Sequence, residues 1–66
     1  MNITLNGKPH VLNGERSVPD LLASINARPE QVAVAINGVV VRRRDWPQTQ
    51  VQAGDIVEVV RAVGGG

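Results

Sequence analysis

The sequence predicts an α+β fold in which a mixed sheet of about five strands carries one helix across one face. Two Asn-Gly pairs, Asn6-Gly7 and Asn37-Gly38, lie between segments of strand-like alternation and predict two β-hairpins. Between the hairpins, apolar residues at helical spacing predict a helix of about ten residues. A helix this short is not stable alone, so its apolar face is expected to pack on the sheet.

The first hairpin is predicted at the start of the chain. Ile3 and Leu5 alternate with polar residues, which is the period of a strand, and the Asn6-Gly7 turn follows them. Pro9 has no backbone N–H to donate, so it is expected early in the second strand, either on an edge of the sheet or just after the turn. Asn13-Gly14 then predicts the end of this strand.

The helix is predicted to begin after Ser17 and to end before Pro29. The Ser17 hydroxyl can accept a hydrogen bond from an unpaired N–H of the first turn, and Asp20 stands in the capping-box position. Pro29 disfavours helical geometry at the residue before it. The buried face is predicted from the i, i+3, i+4, i+7 spacing of Val18, Leu21, Leu22 and Ile25.

The second half of the chain is predicted to supply three strands. Val32, Val34 and Ile36 share one face of the first of these strands, and we expect this β-branched face to pack against the helix. The opposite face, with the small residues Ala33 and Ala35, is a reasonable alternative under a helix. Asn37-Gly38 joins that strand to the next one. The last strand is predicted to begin at Ile56 and is rich in β-branched residues.

Size and composition narrow the class of protein. The 66 residues predict one small domain, at residues 1–63, and a flexible glycine tail at residues 64–66. The chain has no cysteine, and its one histidine, His10, has no neighbour with which to share a metal, so no metal site is predicted. A formal net charge of +1 argues against nucleic-acid and membrane-surface partners. With no signal peptide and no apolar span, a cytoplasmic protein is expected.

The residues that could perform catalysis form no recognisable set. Ser17 and Ser24 lie on the predicted helix without a base beside them, and the carboxylates are scattered without a paired spacing. His10 is expected on an exposed strand with no residue to orient it for acid–base work. We therefore expect a chain that is not an enzyme.

The densest charge cluster is Arg42, Arg43 and Arg44, which opens a long connection over residues 42–54. Surface arginines need no special function, so a solvated loop is one interpretation. A docking surface for an acidic partner, with Trp46 as its anchor, is another, because Arg and Trp are enriched at interface hot spots. Trp46 can equally fill a gap under the connection. Binding of a nucleic-acid strand is a weaker interpretation, because no further aromatic residues follow for base stacking.

Three glycines, Gly64, Gly65 and Gly66, follow the predicted last strand. Such a run is often a frayed end. A bare backbone can also enter a slot too narrow for side chains, and Val63 to Gly66, fully extended, would reach roughly 13–14 Å. The carboxylate of Gly66 would then be presented inside another protein, where ATP can activate it as an acyl-adenylate. The chain has no nucleotide-binding loop of its own, so the ATP site must belong to a partner.

The whole pattern resembles the β-grasp, or ubiquitin-like, family and, more narrowly, the ThiS-type sulfur carrier family of thiamine biosynthesis. The resemblance covers essentially the whole chain. It depends on the Asn37-Gly38 turn, Trp46, Gly54-Asp55 before an apolar strand, and the end Val63 to Gly66, all in family order.

The resemblance implies a function for the tail. A ThiF-like adenylyltransferase would use ATP and Mg²⁺ to adenylate the carboxylate of Gly66, while Gly64 and Gly65 let the tail thread into the enzyme. A sulfur donor such as a cysteine desulfurase would convert this terminus to a thiocarboxylate, and a ThiG-like thiazole synthase would take the sulfur. The chain is then a protein co-substrate with no bound cofactor. Apolar sheet residues, including an exposed patch of Val and Ala, and the loop Arg42–Arg44 are candidate docking surfaces.

Three alternatives stay open at this point. A carrier for molybdopterin synthesis or for tRNA thiolation would use the same carboxylate chemistry. A ubiquitin-like modifier would join Gly66 to a lysine of a target protein. A plain binding module would use the arginine cluster to dock to RNA or to an acidic protein, and its tail would be idle.

Overall fold

The computed structural model describes residues 1–14 and 16–61. The elements follow the predicted order, and two 3₁₀ helices are added to it. The strands are β1 (Asn2–Leu5), β2 (Lys8–Val11), β3 (Val32–Ile36), β4 (Val39–Val41) and β5 (Ile56–Arg61); the helix is α1 (Val18–Ser24), and the 3₁₀ helices are Pro29–Gln31 and Arg43–Gln48.

The five strands form one mixed sheet in the order β2-β1-β5-β3-β4. β1 and β5 run parallel, and the other neighbours are antiparallel. Pro9 lies opposite Thr4 in β2, which is an edge strand, so the predicted edge position is confirmed. β5 lies at the centre, between β1 and β3.

Both predicted Asn-Gly hairpin turns are confirmed. Asn6 and Gly7 have φ values of 51° and 81°, and Asn37 and Gly38 have values of 53° and 83°. Two consecutive residues with positive φ are the requirement of a type I′ turn, whose twist matches that of the flanking strands. The two hairpins therefore arise from local sequence.

Helix α1 begins as predicted and ends earlier than predicted. The Ser17 Oγ accepts a hydrogen bond from the Asp20 N–H at 3.2 Å. The helix stops at Ser24 because Asn26 adopts a left-handed φ of 58°. The Ala27 N–H donates to the Leu22 carbonyl at 2.9 Å, and the Asn26 N–H donates to that of Ala23 at 3.2 Å. These two bonds form a Schellman motif with Asn in place of the usual Gly.

The prediction that Pro29 ends α1 is therefore wrong, because the helix has already ended at Ser24. Pro29 begins the first 3₁₀ helix, which leads directly into β3. The long connection after β4 also contains a 3₁₀ helix. Near the end of this connection, the Val51 N–H donates a hydrogen bond to the Arg16 carbonyl at 2.6 Å. In the part of the chain that the structure describes, no helix has the length and apolar character needed to cross a membrane.

The core lies between α1 and one face of the sheet. Val34 is buried, and Val32 and Ile36 are partly buried against the core, so the prediction that this face packs under the helix is confirmed. The buried side chains are Ile3, Leu12, Val18, Leu21, Leu22, Val34, Trp46, Val51 and Val57.

Candidate functional site

The predicted sulfur-carrying residue Gly66, the threading residues Gly64 and Gly65 and the predicted domain boundary at Val63 lie outside the described residues. What the structure describes is the strand that leads to them. β5 ends at Arg61, five positions before Gly66. The described part of the candidate site is therefore its root, the end of β5 at Arg61.

β5 is held from both sides. Five of its residues pair with β3, from Val57 opposite Ile36 to Arg61 opposite Val32. On the other side it pairs with β1 at Ile56 and Val57 only. A central strand has few unpaired backbone groups and little freedom to move, so the segment after Arg61 starts from a rigid base.

Asn6 continues the pairing of β5 where β1 ends. Its backbone N–H donates to the Val57 carbonyl at 2.9 Å. Its side-chain Nδ2 donates to the Val59 carbonyl at 3.1 Å, and its Oδ1 accepts from the Val59 N–H at 2.9 Å. The side-chain amide thus takes the place of one more residue of β1. The sequence assigned only a turn to Asn6, because nothing local to the turn signals a bond to Val59.

Asn37 has a matching role at the other end of β5. Its Oδ1 accepts from the Ile56 N–H at 2.9 Å, and its Nδ2 donates to Asp55 Oδ1 at 3.1 Å. Asp55 Oδ2 accepts from the Gln52 N–H at 2.8 Å, a bond that closes the turn before β5. Both hairpin turns therefore bind β5 through the side chain of their first residue.

The three arginines of the predicted docking loop have different surroundings. Arg43 Nη2 donates to the Pro29 carbonyl at 2.8 Å, and its guanidinium carbon lies 5.6 Å from the centroid of the Trp46 ring. Arg43 thus joins the second 3₁₀ helix to the first. Arg42 and Arg44 are exposed, and their guanidinium groups form no hydrogen bond or ion pair with the described residues.

Trp46 belongs to the core. Its side chain is 4% exposed, and its Nε1 donates to the Val41 carbonyl at 2.9 Å. Of the two roles that the sequence left open, the structure shows that Trp46 fills the space under the connection. A ring this buried offers almost no surface to a partner and is poorly suited to anchor one.

The face of the sheet away from α1 carries an apolar patch. Because Val34 and Val57 point into the core, their neighbours along the strands point the other way. Cross-strand pairs place Ala33 beside Val60 and Ala35 beside Val40 and Glu58. We call the apolar residues of this surface the open-face patch: Ala33, Ala35, Val40, Ile56 and Val60.

Val40 is 70% exposed and Val60 is 56% exposed. Single exposed valines are ordinary on a protein surface, but neighbouring ones on a flat sheet form a surface suited to a protein partner. This patch lies on β5, which leads to residues 62–66, on β3 beside it, and on the edge strand β4. A partner that receives those residues can therefore contact it.

The mixed five-stranded sheet with one helix across it places the chain in the β-grasp, or ubiquitin-like, class. A sequence model described as the ThiS family matches residues 3–66. The chain belongs to the ThiS family.

Three relatives support this assignment. The chain is 32% identical to the sulfur carrier protein ThiS of Escherichia coli K12 over 66 residues, 100% of both chains. It is 39% identical over 66 residues to a thiazole synthase of Magnetococcus marinus, and it spans 20% of the length of that protein. The crystal structure of the thiamine biosynthesis protein ThiS from Geobacter metallireducens matches with a TM-score of 0.87 and 40% identity, over 100% of both chains. The predicted fold and the predicted family resemblance are thus confirmed.

Proposed function

We propose that this chain is a sulfur carrier of thiamine biosynthesis whose Gly66 carboxylate is the group that is activated and loaded. The observation that carries the proposal is the match of the ThiS family over residues 3–66, which includes the glycine run. The full-length likeness to the sulfur carrier of Escherichia coli supports the same conclusion. The chain acts as a co-substrate of its partners and performs no catalysis itself.

The chemistry begins with a carboxylate, which is a poor electrophile at neutral pH. A ThiF-like adenylyltransferase binds ATP and Mg²⁺, and an oxygen of the Gly66 carboxylate attacks the α-phosphorus and releases pyrophosphate. The resulting acyl-adenylate is attacked by the terminal sulfur of a persulfide, and AMP leaves. A second thiol then cleaves the acyl disulfide, which gives the thiocarboxylate and a disulfide.

The persulfide and the second thiol in these reaction steps both come from partner proteins, because these 66 residues contain no cysteine. A cysteine desulfurase or a rhodanese-type protein is the class of donor that supplies a persulfide. A ThiG-like thiazole synthase then accepts the sulfur and returns the carrier with its carboxylate restored. The likeness to a thiazole synthase of Magnetococcus marinus supports a link to that enzyme.

The described residues serve this function by presenting the tail. β5 is paired on both sides and is held by Asn6, so the tail begins at a fixed point. Gly64 and Gly65 have no side chains, which suits a narrow channel in the enzyme. The open-face patch and the exposed residues Arg42 and Arg44 offer apolar and charged surface for docking.

The direct test is an intact mass measurement. The full chain is incubated with ATP, Mg²⁺, the adenylyltransferase and a persulfide donor, and we expect a gain equal to the difference between one sulfur and one oxygen atom. A variant without Gly65 and Gly66 is the control, and it should stay unmodified while its circular dichroism spectrum is unchanged. An unmodified full chain, or a ladder of conjugates to lysines of other proteins, would overturn the proposal. Complementation of a thiamine-requiring mutant separates this pathway from molybdopterin synthesis and tRNA thiolation.

A further inference from the structure

A cleft of about 590 Å³ lies beside the end of β5, on the face of the sheet that carries α1. Val32 and Val59 line it, and both pack against the core, which places the cleft on the helix side. Its charged lining residues are Arg28 and Arg61, and no carboxylate of the described residues lines it. We call this cavity the root cleft.

The fold brings the two arginines together from distant parts of the chain. Arg61 lies opposite Val32 in the pairing of β5 with β3. Arg28 precedes Val32 by the length of the first 3₁₀ helix, and its carbonyl accepts from the Gln31 N–H at 2.9 Å. Both side chains therefore start from backbone that is fixed by hydrogen bonds.

Neither guanidinium has a hydrogen bond or an ion pair to any residue that the structure describes. Arg43 differs, since it is bonded to the Pro29 carbonyl. Arg28 and Arg61 are both exposed on one concave surface that no described carboxylate lines, and the concave shape concentrates their field on whatever enters.

We propose that the root cleft binds a carboxylate side chain of the enzyme that receives residues 62–66. This inference rests on the proposed function and adds the chemistry of the partner surface. An enzyme that holds Gly66 must approach the root of the tail, because five extended residues reach only about 17 Å. A guanidinium presents paired N–H groups that match the two oxygens of a carboxylate, and two such groups on fixed stems form a specific receptor.

The same reach argues against a phosphate of the partner's ATP as the occupant. During adenylation the α-phosphorus is in contact with the Gly66 carboxylate. An extended tail places that atom about 17 Å from Arg61, well beyond the reach of an arginine side chain. A protein carboxylate on the surface around the tail channel is therefore the anion that can meet the cleft at the moment the enzyme acts.

The test compares the affinity of matched full-length variants for the adenylyltransferase of the same organism. We expect Arg28→Gln combined with Arg61→Gln to weaken binding by about 10- to 100-fold, the range for losing charge-assisted hydrogen bonds. The double variant should also depend less on salt than the natural chain. Arg16→Gln removes an exposed arginine that does not line the cleft, and we expect its dissociation constant to stay within about twofold. Arg28→Lys combined with Arg61→Lys keeps the charge and should recover only part of the affinity.

An unchanged dissociation constant for the Gln double variant would overturn the inference. Titration of the free chain with inorganic phosphate, followed by the side-chain NMR signals of both arginines, gives a second arm. If phosphate saturates the cleft of the free chain while the Gln double variant binds the enzyme as tightly as the natural chain, the cleft is a small-anion site. That result would also overturn the inference. Deletion of Gly65 and Gly66 tests the proposed function separately. If the deletion loses sulfur loading while the Gln double variant keeps full loading and full affinity, that combination would support the proposed function and overturn only this inference.

Discussion

The side-chain amide of Asn6 bonds both the N–H and the carbonyl of Val59, 53 positions further along the chain. The same residue has a left-handed φ of 51° and opens the first hairpin turn. One asparagine thus supplies the turn geometry and secures the strand from which the tail departs. Gly can replace the first contribution but has no side chain for the second.

Asn6→Gly is therefore expected to lower the free energy of unfolding by about 1–2 kcal/mol, because two hydrogen bonds are lost while the turn is kept. Urea unfolding followed by circular dichroism measures this change. Hydrogen exchange at the Val59 amide should accelerate as well, since its acceptor is gone. Asn26→Gly is the matched control, because Asn26 is also left-handed and its side chain has no hydrogen bond to the described residues. Equal stability of the two variants would contradict the role of Asn6.

Asp55 is predicted to stabilise the other end of β5. Asp55→Ala removes the acceptors of the Asn37 Nδ2 and of the Gln52 N–H, and we expect a loss of about 1–2 kcal/mol in the free energy of unfolding. Asp45→Ala is the control, since the Asp45 carboxylate is exposed and accepts no hydrogen bond from the described residues. It should change stability by less than about 0.5 kcal/mol. A similar loss in both variants would show that the effect comes from net charge.

Local patterns in the sequence were sufficient to predict the five strands, the α-helix and their order, but not the two 3₁₀ helices. The hairpins follow from Asn-Gly pairs, and the start of α1 follows from Ser17. The early end of α1 before Asn26 has only a weak sequence signal, because Asn marks a left-handed residue less clearly than Gly does, whereas Pro29 is a strong signal for the end of a helix.

Less of the candidate site could be predicted from the sequence. The bond from Asn6 to Val59 and the meeting of Arg28 with Arg61 both depend on strand register. Register is set by the whole pattern of burial, which no short motif contains. Trp46 shows a further limit: an aromatic residue beside arginines fits an interface and a core equally well until its burial is known.

Within the loop Arg42–Arg44, Arg43 is predicted to stabilise the fold and Arg44 is predicted to contribute to docking. Arg43→Met removes the bond to the Pro29 carbonyl and the contact with Trp46, and we expect a loss of about 1–2 kcal/mol in the free energy of unfolding. Arg44→Met should leave stability within about 0.5 kcal/mol. Thermal unfolding measures the difference in stability between the two variants. Affinity for the adenylyltransferase should fall more in Arg44→Met than in Arg43→Met. If both variants lower stability equally, the two arginines share a structural role.

The open-face patch is predicted to be needed for sulfur loading and not for folding. Val60→Glu adds a second carboxylate to this face, next to Glu58, and because Val60 is 56% exposed the change should cost no more than about 1 kcal/mol of stability. A buried carboxylate in an apolar interface costs several kcal/mol, so binding to the adenylyltransferase should fall by more than about 100-fold. Val11→Glu is the matched control, since Val11 is 59% exposed but lies on the edge strand β2, away from β5. It should bind and load as the natural chain does, and equal losses in both variants would show that the partner does not use the patch.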